Sequence, residues 1–171
     1  MGVTLADLDG DPALEILCSD RDLKLMYAFN ADGTQVPGWP RSTGTMWVWA
    51  PPAVGDIDGD GEVEIVANNL AGRTLAWHVD GSEVRDGDNN PATHGVLIDR
   101  SSVLTYDEWC RSGPALEDLD GDGAKDIIFG TRYRTVATNQ LLASRHDGTQ
   151  VPGFPIPAGA GGNIMCSPTV A

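Results

Sequence analysis

Carboxylates recur at one fixed spacing three times in the chain: Asp7, Asp9, Asp11 and Glu15; Asp56, Asp58, Asp60 and Glu64; Asp118, Asp120, Asp122 and Asp126. Each set holds positions 1, 3, 5 and 9 of a short loop with a glycine at position 4. Side chains that alternate along an extended, Gly-turned loop can bring their oxygens to one point. A backbone carbonyl at position 7 (Ala13, Glu62 or Ala124) can complete an oxygen shell of the kind Ca²⁺ takes. The pattern predicts up to three Ca²⁺ sites with a structural role, in which the ion offsets four mutually repelling carboxylates and pins the strands on either side. An EF-hand would need a bidentate Glu at position 12 between helices. Cys18, Ala67 and Phe129 stand there instead. In the first loop Pro12 replaces the glycine of position 6; it has no N–H and cannot take positive φ, so that turn must be built differently and is expected to bind most weakly.

The charge balance agrees with this origin. The 171 residues carry 25 Asp and Glu against 11 Lys and Arg, a formal charge of −14. Twelve of those acids, four per loop, sit in the three cages, and the 13 others nearly balance the basic residues. With no basic stripe to displace counterions from phosphates, nucleic acid is not an expected partner. No apolar run is long enough to span a bilayer, and the Met1-Gly-Val-Thr start lacks the regions of a signal peptide. The chain is therefore expected either to stay inside the cell or to be a mature or excised piece. Ca²⁺ loops fill where the free ion is abundant, which points to an extracellular or cell-surface setting. Cys18, Cys110 and Cys166 are odd in number, with no CxxC or zinc spacing, and predict no disulfide framework.

The loops also set a period. A short apolar strand precedes each one, as in Val3–Ala6, Pro52–Gly55 and Pro114–Glu117, and the same phrase returns at Pro168–Ala171. A β-branched run follows each loop (from Glu15, Glu64 and Asp126), then a second run (Leu23 to Asn30, Thr74 to Val79, Thr135 to Ala143). An Asp-Gly turn comes next, at Asp32-Gly33, Asp80-Gly81 or Asp147-Gly148. No helical stripe is present. The pattern predicts an all-β chain of four-stranded antiparallel meanders of the β-propeller type, in repeats of about 1–50, 51–111 and 112–166. Residues 167–171 would be the first strand of a further repeat, and the second unit carries an insertion over about 83–109. Three blades do not close a ring in one chain alone, so other copies of the chain or further blades are expected as partners.

The phrase DxDGDGxxE with a β-branched pair after it, a proline-led strand before it and a tail such as Gly33-Thr-Gln-Val-Pro-Gly-Trp-Pro40 resembles the FG-GAP or VCBS repeat. That family includes the integrin α-subunit propeller and many bacterial surface and secreted propellers. The resemblance implies a calcium-binding propeller module acting in binding, adhesion or self-assembly, with Ca²⁺ structural. It also leaves open a module of a secreted carbohydrate-active enzyme such as a polysaccharide lyase, since the scaffold serves both.

Few other residues could do chemistry. Trp39 and Phe154 stand at equivalent places and are expected to pack between blades. Trp47 and Trp49, two apart on an expected strand over residues 46–50, could stack on sugar rings or seal a core. Long loops on rigid scaffolds often carry specificity, which makes the 83–109 segment the candidate contact for a glycan or surface protein. In it His94, with Arg100 or Tyr106, could serve an acidic polysaccharide as base and counter-charge. No Ser-His-Asp set or GxSxG elbow is present, and no catalytic residue is assigned. Ala158–Gly162 lacks the Lys-Ser/Thr of a phosphate loop and is expected to be a connection.

Overall fold

The computed structural model describes residues 2–90, 94–100, 108–109, 112–133 and 140–157. Within them every element is a strand. The first sheet takes β1 (Val3–Ala6), β2 (Glu15–Asp20), β3 (Leu25–Phe29) and β4 (Arg41–Ser42) in that spatial order. The second takes β5 (Ala53–Gly55), β6 (Glu64–Asn68), β7 (Arg73–His78) and β8 (Val96–Asp99). After β9 (Glu108–Trp109), the third sheet takes β10 (Ala115–Glu117), β11 (Asp126–Gly130), β13 (Gln140–Ser144) and β14 (Ile156–Pro157). β12 (Arg132–Tyr133) leaves that sheet to pair with β9. Among the described residues all pairings are antiparallel, and they form three four-stranded meanders and no closed barrel. The expected strand at 167–171 and the 158–162 connection lie outside the described residues.

Alternation along the strands gives each sheet two apolar faces, and the sheets stack on them in chain order. Leu17, Met26 and Ala28 of the first sheet share one core with Ile65, Ala67, Leu75 and Trp77 of the second. Val66 and Ala76, on the opposite face of the second sheet, share another with Ile127, Phe129 and Leu142 of the third. The first strands lie nearest one another. Thr4 donates from its hydroxyl to the Pro52 carbonyl at 2.6 Å, and β5 touches β10.

The tail phrase forms the outer seam between the first two sheets. Trp39 is 6% exposed, meets Trp77 edge-on with centroids 5.8 Å apart, and donates its indole N–H to the Val79 carbonyl at 2.8 Å. This is the inter-blade packing that its place in the repeat predicts. Gly38, with φ of 90°, is required twice over, because a Cβ there would fall 1.9 Å from the Asp80 carbonyl oxygen of the next sheet. Phe154 keeps the equivalent place in the third sheet, half-buried against Ile128, Ala143 and Val151. The Asp-Gly turns are tied by their own carboxylates. Asp32 and Asp147 each accept from the hydroxyl and amide of the Thr two residues on, and these bonds hold both carboxyls below the usual range.

Two expectations change in detail. Val96–Asp99, inside the segment expected to be an insertion, supplies the fourth strand of the second sheet, paired with β7 beyond a bulge at Thr74/Leu75. The pairing satisfies an apolar run whose Val96 and Leu97 are buried in opposite cores. The strand expected over residues 46–50 is reduced to one bridge, Val48 with Asn69. Replacing Trp77, which is fully buried where two sheets meet, by Ala should cost about 3–5 kcal/mol in urea unfolding.

Candidate metal centre

Each acidic loop joins the first two strands of its sheet, and hydrogen bonding within the loop fixes its shape. The carboxylate at position 9 turns inward and accepts from the amide at position 2. Glu15 takes Leu8 N–H at 2.8 Å, Glu64 takes Ile57 N–H at 2.9 Å and Asp126 takes Leu119 N–H at 3.0 Å. All three position-9 residues are buried. Position 1 accepts from the amide of the position-4 glycine, at 2.7 Å in Asp7, 2.6 Å in Asp56 and 2.7 Å in Asp118. Position 5 accepts from the amide at position 7, that of Ala13, Glu62 or Ala124.

Pro12 has the effect its chemistry requires. In the second and third loops the glycine at position 6 (φ of 93° and 97°) donates to Oδ2 of the first Asp at 3.0 Å. Proline has no N–H to give, and Asp7 instead accepts a second, longer bond of 3.3 Å from Asp9 N–H. The remaining geometry of the first loop survives.

Carboxylate oxygens of Asp7, Asp9 and Glu15 converge within 4.8 Å of one another, as do those of Asp56, Asp58 and Asp60 and those of Asp118, Asp120 and Asp122. The donors are hard oxygens in sets of three or more, which fits a hard divalent cation and would leave Glu64 and Asp126 beside it in the second and third loops. Burial pushes the Glu64 and Asp126 carboxyls up; the neighbouring negative charges at position 3 add to this, while the position-2 amides oppose it. Asp118 moves the other way, because the Gly123 and Gly121 amides favour its charged form.

One member of a fourth cluster comes from outside the loops. His78 Nδ1 lies 3.2 Å from Glu64 Oε1, and with Asp58 the three offer ligand atoms within 4.8 Å. The sequence shows His78 only as a residue beside its Asp-Gly turn. Its approach to the loop needs the register Glu64↔His78, which pairing of β6 and β7 sets. His78 also lines a cleft of about 670 Å³ between the first two sheets, with Asp9, Asn30, Glu62 and Asp80.

The other candidates fall elsewhere. The Arg21 guanidinium lies 4.8 Å over the Trp47 ring, occupying a face that a sugar would need. Trp49 is 39% exposed, and Val48 between the two is buried. His94 is largely exposed, 3.8 Å from Glu83. Arg100 is held between sheets two and three, donating to Ser144 Oγ at 2.6 Å and lying 5.1 Å over the Phe129 ring. It and His94 thus have different neighbours, and Tyr106 lies outside the described residues.

The loop, strand and tail of the first sheet match a known family model. Residues 1–67 match the model of an FG-GAP-like repeat. The matched span covers the whole first sheet, β5 and all of β6 but its last residue, with the first two acidic loops. The chain matches none of the curated proteins. The match to an FG-GAP-like repeat is in keeping with the four-stranded meander and suggests a β-propeller-type module, and no helix among the described residues is long and apolar enough to cross a membrane.

The inward carboxylate is the part of the loop on which its shape depends. Glu64→Ala should orphan the buried Ile57 amide and lower metal-free stability by about 1–3 kcal/mol in urea unfolding, whereas Glu64→Gln, which keeps an acceptor, should cost less.

Proposed function

We propose that the chain is a calcium-binding β-propeller-type module of an extracellular or cell-surface protein, acting in binding, adhesion or self-assembly, with up to three structural Ca²⁺. The observation that supports this is one loop repeated three times, each bringing three carboxylates within 4.8 Å of one another and burying the carboxylate at position 9 on a backbone amide. Such a cage repels itself when empty. An ion bound there stabilises the fold through mass action, by about 2.7 kcal/mol per site at a hundred times its dissociation constant. In a chain of this size that corresponds to roughly 5–10 °C per filled site. Saturating Ca²⁺ should raise the melting temperature by at least that much over chelator, and Mg²⁺ should do less. An unchanged melting temperature would rule the calcium reading out.

The ends of the stack support joining to further blades. Exposed Val3, Leu5 and Leu14 stand where the second sheet has Pro52, Val54 and Val63, and Val54 and Val63 pack against the first core. At the other end Leu119, 42% exposed, stands where Leu8 and Ile57 are buried. The outer side of the first sheet therefore presents a copy of a surface that is covered inside the chain, while at the other end Leu119 is exposed and Ile128 and Ala143 are buried. The partner that fits the first sheet is the outer side of the third sheet of another copy. Light scattering of the purified chain should show association that Leu5→Lys with Leu119→Lys reduces to monomer. A wild-type chain that stays monomeric at high concentration would contradict it.

A further inference from the structure

The position facing the inward carboxylate differs in each sheet. Register pairs Glu64 with His78; one step beyond the pairs Ile16↔Phe29 and Ile127↔Ser144, it sets Asn30 opposite Glu15 and Arg145 opposite Asp126. Three otherwise matching loops thus face a neutral amide, an imidazole and a permanent cation. Asn30 turns its amide to Thr34 Oγ1, at 2.9 Å. His78 stays on Glu64. Arg145 reaches into the loop: its Nε donates to Asp120 Oδ2 at 3.0 Å, its Nη2 meets the same oxygen, and its Nε lies 3.7 Å from Asp122 Oδ2. Asp120 and Asp122 are positions 3 and 5, two of the donors on which a bound ion would depend.

We propose that Arg145 is the built-in cation of the third loop and selects against Ca²⁺ there, so that the chain has two strong calcium sites, at Asp7–Glu15 and Asp56–Glu64, and one internally neutralised loop. The inference rests on the calcium reading of the loops. The Arg145 and Asp120 side chains are 32% and 20% exposed, so their pairing is only partly screened by water. A divalent ion entering the third loop must displace the guanidinium from Asp120 or share the site with a like charge, and either requirement weakens binding. The lowest affinity then belongs to the third loop and not to the loop with Pro12, whose carboxylates face no cation among the described residues.

Calorimetric titration of the full chain with Ca²⁺ tests this. Wild type should show two strong sites. Arg145→Asn, which installs the residue found opposite Glu15, and Arg145→Met, which keeps the aliphatic stem without the charge, should each show three, the added site gaining on the order of tenfold or more in affinity. In the reverse exchange, Asn30→Arg should lose the first site. Three equal sites in wild type, or stoichiometry and affinity unchanged by these substitutions in folded protein, would overturn the role of Arg145 alone. No Ca²⁺ binding by any of the chains would overturn the calcium reading and this inference with it.

Discussion

In each four-stranded sheet the carboxylate that opens the second strand reaches back seven residues to the second amide of the loop that follows the first strand. The bond from Leu8 to Glu15, repeated at Ile57 and Leu119, closes the loop on itself and buries a charge at its base. A buried carboxylate that accepts one amide is only partly satisfied. Everything above it in the loop follows from that. The glycine at position 4 turns the chain back, the first Asp gathers amides, and the remaining oxygens are left converging outward. Rigidity at the base and unsatisfied charge at the rim are two consequences of one interaction.

The sheets add the second constraint. A four-stranded meander with apolar residues on both faces cannot be stable in water by itself, and here each internal face is covered by the next repeat. Trp39, Gly38 and the Trp77 ring show how close that fit is, since a backbone carbonyl of one sheet leaves no room for a Cβ on its neighbour. Gly153, the counterpart of Gly38 in the third sheet, has nothing within 4 Å of its Cβ position. The same residue type is thus kept at both places while only one of them is filled.

Much of this was legible in the sequence because it depends on local spacing. The loops, the strands beside them and the Asp-Gly turns follow from residues a few positions apart, and the packing role of Trp39 from the return of its phrase at Phe154. The loss of one hydrogen bond at Pro12 is equally local. What was not legible depends on register across strands. β8 lies well beyond the turn that ends β7, after a bulge, within a stretch whose spacing reads as an inserted loop. The chemistry facing each inward carboxylate, Asn30, His78 or Arg145, appears only when β3, β7 and β13 are paired with their neighbours. Arg145 sits 25 residues from Asp120, a separation that no motif spans.

The central claim is that the loops are cation sites built on the inward carboxylates, and anomalous X-ray scattering from crystals grown with Mn²⁺ or a lanthanide in place of Ca²⁺ would locate the ions directly. Strong peaks are expected among Asp7, Asp9 and Glu15 and among Asp56, Asp58 and Asp60, with a weak peak or none beside Arg145. Peaks absent from both of those loops, or found only at other surface carboxylates, would contradict it.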